Sequence, residues 1–129
     1  MSFPQAAELP ARRAVWRALS ALYLDTDTDA FLPHVAQVLA ASPYAEDRLW
    51  RILRDEVHPV LHANLLAVAG EWAGFDEDWL AARILRRLAR PHWARPFGCV
   101  LCGHPRRQWR ILRPLIAQAR QAARDDAVG

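Results

Sequence analysis

Residues 76–90 read DEDWLAARILRRLAR, and this stretch decides the fold class. Asp76 can accept hydrogen bonds from the first amides of a helix. Glu77 and Asp78 follow it, where the helix dipole favours acids. Trp79, Leu80, Ile84, Leu85 and Leu88 return on one face at the helical period. Arg83, Arg86, Arg87 and Arg90 gather toward the C-terminal end, where the dipole favours cations. An amphipathic helix is therefore specified at both of its ends.

The chain upstream follows the same rules. Pro10 opens a first helix, where its missing N–H costs nothing. Val15, Trp16, Leu19, Leu22 and Tyr23 form its stripe, with Arg12, Arg13 and Arg17 interleaved. It ends at Leu24, before Asp25-Thr26-Asp27-Thr28. Thr28 or Asp29 caps a second helix through Phe31, Val35, Val38 and Leu39, with Pro33 tolerated in its first turn. Ser42-Pro43 reads as a helix start, a capping hydroxyl before a proline. That third helix sends Leu49, Trp50, Ile52, Leu53 and Val57 inward, and Pro59 is expected to break or bend it near His58. A short apolar segment over 58–69 then offers about two helical turns around Asn64.

Downstream, residues 91–105 hold three prolines, two glycines, two histidines and both cysteines, the composition of a loop. Pro105 opens a last helix that turns Trp109, Leu112, Leu115, Ile116 and Ala119 inward, with a kink expected at Pro114. Residues 125–129 are expected to fray. No valine–isoleucine alternation supports a strand. The expected fold is all-α, a compact single-domain bundle of five to six helices over residues 1–129.

Charge is distributed unevenly. Residues 1–80 carry six arginines and twelve acids, a net of −6; residues 81–129 carry eleven arginines and two acids, a net of +9. Such a dipole steers association with a charged partner, or lets the two halves neutralise each other. Every basic residue is arginine, which suits bidentate anion contacts. A GC-rich coding bias accounts for the arginine and the alanine together. No apolar run approaches the roughly 20 residues that a membrane span needs. The first ten residues lack the basic head and apolar core of a secretory leader. Two cysteines three residues apart give no disulfide framework. These features lead us to expect a cytoplasmic protein with no membrane partner.

Several motifs carry residue types capable of chemistry. Cys99 and Cys102, with His92 and His104, offer zinc-type ligands in a Gly/Pro loop. A single C-x-x-C with apolar Val100 and Leu101 inside it fits a reduced, packed pair better. Asp25, Asp27 and Asp29 match the start of a calcium loop, but Ala30 and Ala36 stand where glycine and a bidentate glutamate are needed. Arg95, Arg106, Arg107, Arg110 and Arg113 make a basic patch able to meet phosphates, without any recognised nucleic-acid-reading motif. His58 and His62 are spaced to share a helix face, with Pro59 between them. Glu56, Asn64 and Glu71 would have to line any acid–base site. Trp16, Trp50, Trp79 and Trp109 belong to helix stripes and read as core, whereas Trp72 and Trp93 are better surface candidates. The string WRILR occurs at 50–54 and at 109–113, without matching flanks. Shared amphipathic design explains it better than duplication.

Three stretches carry a resemblance: RAVWRALSALYLDT at 13–26, ASPY at 41–44, and EVHPVL through NLL and AGEWAGF to Trp79-Leu80 within 56–80. Together they resemble a family of small bacterial helical proteins of unknown function, over roughly residues 12–85. The resemblance implies a compact helical fold and assigns no activity, cofactor or catalytic residue.

The expected function is that of a non-catalytic protein-binding module. Neutralisation of a toxin, as by an immunity protein, is one form this can take. Its contact region is expected around Gly70–Trp79, with Glu71, Trp72, Phe75, Asp76 and Trp93 as the contact residues. No cofactor is expected. Nucleic-acid binding through the arginine-rich half, and a small zinc module, are the alternatives.

Overall fold

A computed structural model describes residues 4–23, 30–67, 77–90 and 103–128. Among these residues there is no strand, and nearly all backbone is helical. A 3₁₀ turn at Ala6–Glu8 leads into α1 (Leu9–Ser20), which closes in a second 3₁₀ turn at Ala21–Tyr23. Then come α2 (Leu32–Ala41), α3 (Glu46–Ile52), a π turn (Leu53–Val57), α4 (His58–Ala67), α5 (Glu77–Leu88) and α6 (Gly103–Val128). The all-α bundle read from the sequence is the observed fold.

Helix α1 is central. It packs against α2, α5 and the π turn, while α6 lies across α2 and α3. Its buried residues are Arg12, Val15, Trp16, Leu19 and Ser20, a stripe at helical spacing. Facing stripes come from Leu32, Val35, Ala36 and Leu39 of α2, from Leu80, Ala81, Ile84 and Leu88 of α5, and from Leu112 and Ile116 of α6. Each fully buried aliphatic side chain contributes roughly 1.5–3 kcal/mol over exposure.

Two boundaries differ from the sequence reading. Ser42-Pro43 does not start a helix; it ends one. The proline holds Ser42 extended, at φ −73° and ψ 159°, so α2 stops there. The Ser42 hydroxyl donates to the Leu39 carbonyl at 2.6 Å, and α3 begins only at Glu46. The Arg120 guanidinium reaches over from α6 and donates to the carbonyls of Leu39, Ala40 and Tyr44. A cation thus closes the C-terminal end of α2, where carbonyls lack helical partners.

Pro59 does not break the helix. The run from Glu46 to Ala67 is continuous because the chain widens to a π turn just before the proline. The His58 amide donates five residues back, to Leu53. The extra residue in that turn takes up the strain that the proline ring would put on a regular ladder. Regular helix then resumes at His58, so His58 and His62 do share one helical segment.

Helix α6 begins at Gly103, so Gly103 and His104 belong to it and not to the 91–105 loop. It passes through Pro114, on its exposed side, as one continuous helix. It also runs to Val128, through the segment expected to fray. There Gln121 donates to Asp125 at 3.0 Å and Arg124 donates to Gln121 at 3.0 Å, giving one-turn side-chain ties on an exposed helix. No helix among the described residues is long and apolar enough to cross a membrane.

The two WRILR strings meet in space. The Trp50 and Trp109 rings lie 5.9 Å apart at 36°. Their burial is not equivalent, however. Ile52 is fully buried, while Ile111 is 43% exposed. Shared sequence therefore serves two different environments.

Candidate functional site

The interior holds a polar cluster that the sequence reading did not assemble. Arg12, on α1, and Glu56, in the π turn, are both 0% exposed. Arg12 Nε donates to Glu56 Oε1 at 2.9 Å and its Nη2 donates to Oε2 at 2.6 Å. The Trp16 indole N–H donates to Oε1 at 2.8 Å. Arg12 lies 5.4 Å over the Tyr44 ring and 3.7 Å from Glu8, which accepts a bond from the Tyr44 hydroxyl at 3.3 Å. Burial works to lower the Arg12 pKa. The hydrogen bonds and charge of Glu56 more than offset that, so it stands above the ordinary arginine value. Burial likewise pushes the Tyr44 phenol up, with Arg12 opposing and Glu8 reinforcing the shift.

Glu56 is thus a receptor for three donors in a site closed to solvent. A carboxylate so occupied is poorly placed to take a proton from a substrate. Its signal was present in the sequence: Arg12 is three and four residues before Val15 and Trp16, and Glu56 is three and four after Leu53 and Ile52. Both charges sit on apolar stripes, where a charge needs a partner.

A second buried cluster links the end of α1 to α4. The Tyr23 hydroxyl and His58 Nδ1 are 2.7 Å apart, and the His58 and His62 rings pack with centroids 4.9 Å apart.

On the surface, Arg106, Arg107, Arg110 and Arg113 all lie exposed along α6. Arg113 pairs with Glu46 at 3.3 Å, which ties the basic half to the acidic half. Arg106, Arg107 and Arg110 make no hydrogen bond or ion pair with any described residue. Arg13 and Arg17 are satisfied on α5 instead, Arg13 by Asp78 and Glu77 and Arg17 by Glu77. An open groove of about 400 Å³ runs between the start of α3 and the outer part of α6, lined by Glu46, Asp47, Arg113, Arg120 and Arg124 among others.

The remaining candidates fall elsewhere. Glu71, Trp72, Phe75, Asp76, His92, Trp93, Arg95, Cys99 and Cys102 lie outside the described residues, as does the aspartate turn at 25–29. His104 is in the first turn of α6. Among the described residues no group of three or more His, Cys, Asp or Glu side chains is arranged to hold a metal. Trp16 is buried in the core as expected, while Trp50, Trp79 and Trp109 pack half-buried at its edge.

Residues 10–118, most of the chain and most of the helical packing just described, match the family model "Domain of unknown function (DUF7079)". The chain belongs to this family. Membership in DUF7079 agrees with the resemblance seen in the sequence and assigns no activity. The match spans Arg12, Glu56, Tyr23 and His58, as well as the arginine face of α6. No curated protein and no solved structure matches the chain.

Proposed function

We propose that this DUF7079 chain is a non-catalytic, protein-binding module that meets an acidic partner surface through the exposed face of α6. One observation carries the reading: Arg106, Arg107 and Arg110 stand exposed and unspent beside Ile111, itself 43% exposed. Cations without partners among the described residues, set around an exposed aliphatic side chain, combine electrostatic steering with a site for apolar burial. Arginine is also the basic residue most enriched at binding hot spots. The non-catalytic part of the reading is supported by the interior, where Glu56 is spent on Arg12 and Trp16. Toxin neutralisation is the form that a small binder with polarised charge suits.

The test is a photocrosslinking residue in place of Ile111, used in cells, with crosslinked species identified by mass spectrometry. A recurrent protein with an acidic surface is expected, and Arg106→Glu/Arg107→Glu/Arg110→Glu should abolish its crosslink. A crosslink insensitive to that charge reversal defeats the proposal. So does steeply salt-dependent retention of DNA or RNA that the same reversal removes, which would favour the phosphate-binding reading.

A further inference from the structure

Helix α6 packs through one side and leaves the other uncovered. Its inward side carries Gln108, Leu112 and Ile116, all buried. On the opposite side Arg107, Ile111, Pro114, Gln118, Gln121 and Asp125 are all exposed. They recur at alternating steps of four and three residues, the seam spacing of a two-helix coiled coil. The seam is charged at its two ends and uncharged between them. Arg107 stands near its start and Asp125 near its finish, about 27 Å apart at the rise of an α-helix. Among the described residues neither makes an ion pair, and Asp125 accepts from the neutral amide of Gln121 at 3.0 Å. From Gln121 to Val128 every residue is exposed, so no side of the last two turns is buried by the rest of the chain. So short a length of helix is marginal in water without packing.

We infer that α6 pairs antiparallel with α6 of a second copy of this chain, about a two-fold axis level with Ile116. The inference rests on the reading of α6 as a binding face and names the acidic surface that it meets. Pairing about that level sets Arg107 opposite Asp125 of the second copy, and the symmetry repeats the contact with the roles exchanged. Arg110, one turn along from Arg107, flanks the same carboxylate. Ile111 falls opposite Gln121 and Ala122, and Pro114 falls opposite Gln118. The exposed last turns then lie along the first turns of the other α6, which covers them. Parallel pairing would set Arg107 against Arg107 and Asp125 against Asp125, and like charges in contact exclude it. Polar residues on a seam fix register and direction at a cost in affinity, so the pair is reversible.

The experiment is sedimentation equilibrium of the full chain over a range of concentrations, with circular dichroism as the check of folding. A monomer–dimer equilibrium is expected, weakened by salt. Arg107→Asp and Asp125→Arg should each weaken the dimer about ten-fold or more, because each sets like charges opposite one another twice. Both changes in one chain should restore most of the affinity, since antiparallel pairing exchanges the two charges across the interface. In the purified chain, a photocrosslinking residue in place of Ile111 should capture the 118–125 stretch of the second copy. A chain that stays monomeric at every concentration overturns the self-pairing. So does a dimer indifferent to the single reversals, or a double variant as weak as the singles. Capture of the stretch around position 111 itself would mean parallel pairing and overturns it equally. The broader α6 reading falls by a different result, a crosslink in cells that ignores the arginine reversal, so the two failures are told apart.

Discussion

Arg12 and Glu56 are 44 residues apart in sequence, yet they join through two hydrogen bonds with neither side chain exposed. The pair fastens α1 to the π turn, and Trp16 adds a third donor from one turn further along α1. Removing one partner strands a buried charge, which costs far more than the pair itself contributes.

Arg12→Met or Glu56→Leu alone should therefore destabilise the fold by about 3–5 kcal/mol. The double variant should recover much of that loss, because no unpaired ion remains in the core. Urea denaturation of the three variants, read as a double-mutant cycle, measures the coupling. Additive losses would mean that the pair is not the connection it is taken for.

The WRILR strings make a controlled comparison. Ile52→Ala should cost about 2–5 kcal/mol, the range for truncating a core aliphatic. Ile111→Ala should fall within about 0.5 kcal/mol of wild type, as surface changes do. Equal losses in chemical denaturation would contradict the difference in their burial.

Arg120→Ala should destabilise the chain by about 1–3 kcal/mol, because the carbonyls of Ala40 and Tyr44 lose the guanidinium donor while that of Leu39 keeps only Ser42. Arg120→Lys should restore only part of this, since a single ammonium cannot reproduce the planar fork. Hydrogen exchange should localise the opening to the last turn of α2.

The Tyr44 phenol sets an alkaline limit. Its pKa is raised in the folded chain, so between the unfolded value near 10 and the folded one the native state holds the extra proton. Its contribution is complete below about pH 10 and fades as pH climbs through the folded pKa. Stability measured across that window should fall with pH, and Tyr44→Phe should flatten the decline.

How far the sequence reveals this architecture depends on the range of the interaction. Local rules identified α1, α2 and α5, because Pro10, Pro33 and the Glu77-Asp78 start act within one turn of themselves. They misjudged Ser42, since a serine before proline can close the preceding helix as readily as open the next. They misjudged Pro59, since local rules do not show a helix widening to absorb a proline. The Arg12–Glu56 contact was beyond them altogether. Each charge lies on an apolar stripe and so demands a partner, but only tertiary packing says which one. The unspent arginines of α6 were legible as a patch. That no acid among the described residues pairs with Arg106, Arg107 or Arg110 became visible only once Glu77 and Asp78 were seen to serve Arg13 and Arg17.

The widened turn before Pro59 splits one rod into two rotational phases. Residues up to Ile52 follow one angular lattice and those from His58 onward follow another, offset by the surplus position. A homologue lacking the proline would be expected to drop one residue between 53 and 57. Excising a residue there from this chain would close the turn to regular helix and leave the segment from His58 onward in its present phase, while re-aiming the side chains between 53 and 57. Glu56 is among them, so the length of this short segment matters as much as its composition.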